Sequence, residues 1–229
     1  MNISQSFITK LGILNLGMLL LISLSASAQA QQDGVITING GKDTVLLKPW
    51  STTTTPAEPV SPELVIIYSN LGTGKNVYNA GAGNGIVGPD AGQLYPEWIG
   101  NAFRAKANHL VTEIQVGATY VSGGNAVVLS LNQDANNRPG KALGTWHFAN
   151  LPQFGSCCTL LTAKSKLGIK VKKGNLYWVV METTPQHRDT YAVWNNDWSG
   201  LQGVWTNDIG SGWEPASHQQ LNAFGVFGK

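Results

Sequence analysis

From Glu63 onward, apolar residues recur in short runs, each closed within about a dozen residues by Gly, Asn, Pro or Ser, and no run has helical period. That spacing confines the chain to β structure. The clearest run is Leu110 to Tyr120, where Leu110, Thr112, Ile114, Val116, Ala118 and Tyr120 alternate with Val111, Glu113, Gln115, Gly117 and Thr119, the period of a half-buried strand. Ser122-Gly123-Gly124-Asn125 turns the chain into Ala126 to Leu131, and Asn132 to Gly140 reads as a polar loop. Leu176 to Met181 is apolar on both faces, which places it in the middle of a packed sheet. Lys172-Lys173-Gly174-Asn175 ahead of it is a hairpin signal with solvated lysines. Further strands are expected at Leu64 to Tyr68, Trp98 to Ala105, Leu143 to Phe148, Cys158 to Thr162, Gly168 to Val171, Tyr191 to Trp194, Gly203 to Thr206 and Ala223 to Phe227. Asn70 to Gly92, rich in Gly and Asn, is expected to be a long surface loop. About ten short strands predict an all-β fold, an antiparallel two-sheet β-sandwich of jelly-roll type, with a closed barrel as the alternative.

Two segments precede this domain. Lys10, an apolar run from Leu11 to Leu24, and the small-residue exits Ala26-Ser27-Ala28 and Ala28-Gln29-Ala30 have the form of a signal peptide over residues 1–30. The apolar run is short for a membrane span, and no second run is long enough, so the expected product is secreted, extracellular or at the cell surface, with no membrane span after cleavage. Residues 31–62 hold one short β signal, Val35 to Ile38, and then a Thr/Pro/Ala/Ser tract, and they are expected to form an extended linker to a domain over 63–229.

Charge restricts the partners. The whole chain has 15 Lys and Arg against 13 Asp and Glu, and loss of Lys10 with the signal leaves 14 against 13. A partner chosen by bulk charge, nucleic acid above all, is not indicated.

Trp194-Asn195-Asn196-Asp197-Trp198, Trp205-Thr206-Asn207-Asp208 and Gly212-Trp213-Glu214 are the richest local cluster. Indole faces flanked by amides and carboxylates suit a glycan: the ring covers the apolar face of a sugar while Asn and Asp hold its hydroxyls. Trp198, Trp205 and Trp213, beside turn residues, are the candidate platforms, with Asn195, Asp197, Asn207 and Asp208 as polar partners. Trp194 continues the apolar alternation from Ala192 and is expected in the core. Asn132, Asp134, Asn136 and Asn137 offer oxygens for Ca²⁺, but one carboxylate without EF-hand spacing reads as a polar turn, and no cofactor is expected. The adjacent Cys157 and Cys158 leave a vicinal disulfide or two free thiols open, with an intermolecular bridge behind both. The Pro152 and Gly155-Ser156 turn and an oxidising destination motivate the vicinal disulfide as the prediction.

No nucleophile elbow, phosphate loop or dinucleotide fingerprint occurs. Glu97, Glu182, Asp189, Asp197, Asp208 and Glu214 show no recognisable glycosidase pairing, so a hydrolase stays the minority reading. Tyr68-Ser69-Asn70-Leu71-Gly72, Tyr78-Asn79, Leu129 to Asn132 leading to Arg138-Pro139-Gly140, Leu151 to Leu160 and Tyr177 to Val180 resemble the bacterial choice-of-anchor domains, most closely the R type, over Val65 to Phe227. The resemblance implies a bacterial extracellular β domain without a known reaction. Such proteins typically carry a C-terminal anchoring segment; an ending at Phe227-Gly228-Lys229 without an apolar tail favours free release or attachment through a partner. The expected function is that of a secreted, non-catalytic module binding an extracellular glycan. A structural or adhesive contact with a cell-surface protein is the rival.

Overall fold

A computed structural model describes residues 34–47, 64–93, 95–208 and 212–229, apart from the side chains of residues 202–208 and 217–219. The segment expected to be a signal peptide and the Thr/Pro tract lie outside the described residues. Fifteen strands are described. β1 (Gly34–Ile38) and β2 (Asp43–Leu47) form an N-terminal hairpin, and β3 (Val65–Ser69) and β4 (Asn79–Val87) flank a single 3-10 turn at Gly74–Asn76. β5 (Trp98–Arg104), β6 (His109–Val116), β7 (Ala118–Ser122), β8 (Ala126–Asp134) and β9 (Pro139–Ala149) follow. The chain continues through β10 (Leu161–Val171), β11 (Leu176–Thr183), β12 (Tyr191–Asn196), β13 (Gln202–Asp208), β14 (Trp213–Gln220) and β15 (Phe224–Gly228).

The strands make three sheets where two were expected: β2-β1-β4-β12-β7, β10-β6-β15-β3 and β14-β13-β5-β11-β8-β9. All pairings are antiparallel except that of β1 with β4. The fold is all-β, several sheets packed together in the manner of a β-sandwich. Gly117 explains the extra sheet. The Leu110–Tyr120 alternation is interrupted there: β6 stays in the four-stranded sheet while β7 joins the five-stranded one. A Cβ at Gly117 would lie 2.6 Å from the Tyr78 ring, so only glycine lets the chain cross that point. One apolar core joins all three sheets, with Phe103, Val127 and Val179 of the six-stranded sheet packed with Ile114, Val116 and Val226 and with Ile86 and Trp194. Burial of each such side chain contributes roughly 1.5–3 kcal/mol. β11 lies between β5 and β8, with Trp178 fully buried.

Three expectations need correction. The Asn70–Gly92 stretch is not all loop, because β4 pairs with β12 in the interior of its sheet. Its glycines are there for packing: a Cβ at Gly85 would meet Ile38 Cγ2 at 2.7 Å, and one at Gly83 would collide with Val193 and the Trp194 carbonyl. The linker expected over 31–62 is folded over 34–47. Ile36 and Ile38 alternate onto one face and pack with Val87, Phe154, Tyr191 and Val193, so the domain begins no later than Gly34. Lys172 to Asn175 also does not close a hairpin; β10 and β11 belong to different sheets, and the turn crosses between them.

Candidate functional site

β13 separates what the sequence placed together. Its start, Gln202, pairs with Gln220, and its end, Asp208, pairs with Trp213 and Trp98. Trp198 therefore lies at one end of this strand and Trp213 at the other, roughly 20 Å apart at about 3.3 Å per residue. The predicted cluster does not converge. Trp205 pairs with Asn101 and Ala216 through the backbone, and the side chains of Trp205, Asn207 and Asp208 lie outside the described residues.

Of the cluster's described polar side chains, Asn195, Asn196 and Asp197 point inward, while Glu214 is exposed. Asn195 is fully buried; its Oδ1 accepts from Thr119 Oγ1 at 2.9 Å and its Nδ2 donates to the Asn79 carbonyl at 3.0 Å. Asn222 stands at the junction of the sheets, donating Nδ2 to the Trp194 carbonyl at 2.6 Å and accepting Asn101 Nδ2 at 2.9 Å. Asn70 Nδ2 donates to the Asn222 carbonyl at 2.9 Å, and Asn84 Nδ2 donates to Asn196 Oδ1 at 3.3 Å. Trp194 is in the core, its Nε1 donating to the Ala223 carbonyl at 3.0 Å. These amides satisfy one another, as buried polar groups must, and leave nothing for a sugar.

Asp197 is also fully buried, and its work is local. Its Oδ2 accepts Ser199 Oγ at 2.6 Å, and its carbonyl accepts Gln220 Nε2 at 2.7 Å. Its charge adds to burial in pushing the Tyr68 hydroxyl up to about 12. Ser199 Oγ in turn accepts the Leu201 amide at 3.1 Å, and the Leu201 carbonyl accepts that of Leu221. Asp197 thus pins the base of a short loop that holds Trp198 outward, 52 % exposed beside Leu201 at 55 %. Of the proposed platforms, Trp198 is the well-exposed one among described side chains; Trp213 is half-buried.

The same end of the six-stranded sheet carries a groove the sequence analysis missed. Because β13 runs antiparallel to β5, its start and the Trp198 loop lie toward the Arg104 end of β5. There an open groove of about 580 Å³ is lined by Arg104, Lys170, Lys172, Gln133, Asn137 and Asn175, with Leu143 and Tyr177 among its walls. Gly174 N donates to the Ala105 carbonyl and Lys172 N to Tyr177 Oη, each at 2.8 Å, so the turn from β10 is fixed against the end of β5 and the start of β11. Arg104 Nη1 donates to the Gly174 carbonyl. The lining comes from three stretches about 30 to 70 positions apart in sequence, and the two that the sequence marks, Asn132 to Gly140 and Lys172 to Asn175, read there only as polar turns.

The supposed Ca²⁺ loop forms part of this wall and is occupied by its own bonds. Asp134 Oδ1 accepts Trp178 Nε1 at 2.8 Å and Oδ2 accepts the Asn137 amide at 3.2 Å, while Asn136 and Asn137 take left-handed backbone with φ of 58° and 59°. Among the described residues no group of three or more His, Cys, Asp or Glu is placed to hold a metal ion. Cys157 and Cys158 are joined to each other by a disulfide, with Cys158 buried beside Val77, Tyr78 and Ala223.

A buried carboxylate lies at the opposite end. Glu97 accepts the Asn39 amide at 2.8 Å and the Gly40 amide at 3.0 Å, holding the tip of the β1–β2 hairpin. Burial pushes its carboxyl up to about 7 against those two bonds, and Asp43 adds to the rise. Its charge and burial both push the Tyr191 hydroxyl up.

Among the described residues no helix is long and apolar enough to cross a membrane. No protein-family model, curated protein or solved structure matches this chain.

Proposed function

We propose that the chain is an exported, non-catalytic β-sandwich of jelly-roll type that binds an extracellular glycan at the end of the molecule carrying Trp198. The observation that supports this reading is the exposed indole on a loop whose base is pinned by Asp197, Ser199 and Leu221. A pre-ordered aromatic face costs little entropy on binding and covers the apolar face of a sugar ring. The signal-like first thirty residues and the resemblance to choice-of-anchor domains agree with an extracellular setting. Affinity electrophoresis across neutral and charged polysaccharides tests the reading. Retention by at least one glycan, lost in Trp198→Ala without loss of stability, is the expected result; uniform failure to bind rejects it.

The second reading is a protein–protein contact, favoured by the exposed Leu201 beside Trp198. The two respond differently to one substitution. Leu201→Ser should leave a ring-stacking glycan in place and weaken an apolar protein contact.

A further inference from the structure

We propose that the groove lined by Arg104, Lys170 and Lys172 takes an anionic polysaccharide, one bearing carboxylate or sulfate groups. The inference rests on the glycan-binding reading and names its substrate class. Net charge conceals the site. The near balance of charges over the chain says nothing of where they lie: Asp43, Asp90, Glu97 and Asp189 gather at the far end around the β1–β2 tip and the start of β12, with Lys42 and Arg188 among them. At the groove end the three cations lie on the end of β5, on β10 and on the turn after it, all exposed. None forms an ion pair with a described residue, whereas Lys164 and Arg188 elsewhere do. The carboxylate in the wall, Asp134, accepts from Trp178 and the Asn137 amide and keeps its charge, so the lining carries three cations against one anion.

Edge protection is the competing explanation, since β10 is an edge strand and lysines blunt such edges. It accounts for Lys164, Lys166 and Lys170 along β10. It does not account for Arg104 on interior strand β5 or for Lys172 beyond the strand, both brought to the same groove. The remaining polar lining, Gln133, Asn137 and Asn175, is amide, a partner for hydroxyls, and the volume suits a short run of sugar units. A nucleic acid is disfavoured because among the described residues no exposed aromatic ring lines the groove to stack a base: Tyr177 is buried and its hydroxyl accepts the Lys172 amide.

Matched ligand pairs test this with the full chain as isolated. Dextran sulfate against dextran, and polygalacturonate against its methyl ester, change charge on a constant backbone, and a single-stranded oligonucleotide supplies phosphate without sugar-ring hydroxyl patterning. Retention by at least one charged member over its neutral partner is expected, with the sulfate and carboxylate arms telling which group is preferred. It should fall steeply as salt rises, because the cations are exposed. Lys170→Gln/Lys172→Gln should weaken it about tenfold, while Lys164→Gln/Lys166→Gln, the same charge change earlier along β10, should leave it within about twofold. Equal weakening in both double variants would overturn the proposal. So would oligonucleotide retention as strong as that of the glycans through the same lysines. Retention of neutral glycans alone, lost in Trp198→Ala, overturns this inference and leaves the glycan-binding reading standing; no retention by any glycan removes both.

Discussion

Amide side chains gather at two places in this protein and do opposite work. Between the sheets, Asn70, Asn101, Asn195 and Asn222 bond to one another's strands, so their donors and acceptors are used up in holding three sheets in register. In the groove, Gln133, Asn137 and Asn175 are exposed beside cations that have no carboxylate partner among the described residues. Residue type does not separate the two sets; what remains uncommitted after folding does. A ligand can be held only by groups that the fold has not already used.

The contrast breaks most visibly at its buried side. Asn222→Ala removes a donor to the Trp194 carbonyl and strands Asn101 Nδ2, and should lower stability by about 3 kcal/mol, since each buried polar group left unpaired costs roughly 1–3 kcal/mol. Asn175→Ala in the groove should change stability by less than about 0.5 kcal/mol. Urea denaturation of the pair is decisive: similar losses would mean the two amide sets are not functionally distinct.

Glu97 tests the far end through pH. Its carboxyl is raised on folding from 4.5 to about 7, so the folded protein holds this proton more tightly than the unfolded chain. The stability linked to it is complete below about 4.5 and is lost as pH rises through about 7, on the order of 3 kcal/mol. Glu97→Gln should flatten the stability profile across that window. A wild-type profile that rises with pH between 4.5 and 7 through this residue would contradict the burial-dominated shift.

Smaller effects follow at the cysteines and at Trp198. Replacing both Cys157 and Cys158 by Ser should cost about 1 kcal/mol, because a bond between neighbours closes almost no loop; two titratable thiols in the denatured, unreduced protein would show that the bond does not form. Trp198→Ala should move stability by less than about 0.5 kcal/mol, as its ring packs little. A larger loss there would make Trp198 part of the core and remove the exposed platform from the comparison.

Much of the fold was legible because strands with one buried face write a period of two into the sequence. β8, β9, β11 and β12 fall where alternation or a doubly apolar run placed them, and Trp194 is in the core as its alternation from Ala192 required. β4 was missed because a strand squeezed between Ile38 and Val193 uses glycine, and glycine carries no pattern to read. β14 was missed as well: Trp213 to Gln220 offers mostly polar residues and a proline.

The candidate sites divide in the same way. By itself the sequence determined which residue types were available, where strands begin to alternate, and that an apolar run precedes the domain, since these depend on neighbours along the chain. Only the tertiary structure decided that Asn195 and Asp197 face inward, that β13 carries Trp213 away from Trp198, and that Arg104, Lys170 and Lys172 meet. Sheet order and the crossing at Gly117 set those relations through contacts between strands far apart in sequence, and a near-zero sum of charges is silent about where each charge ends up.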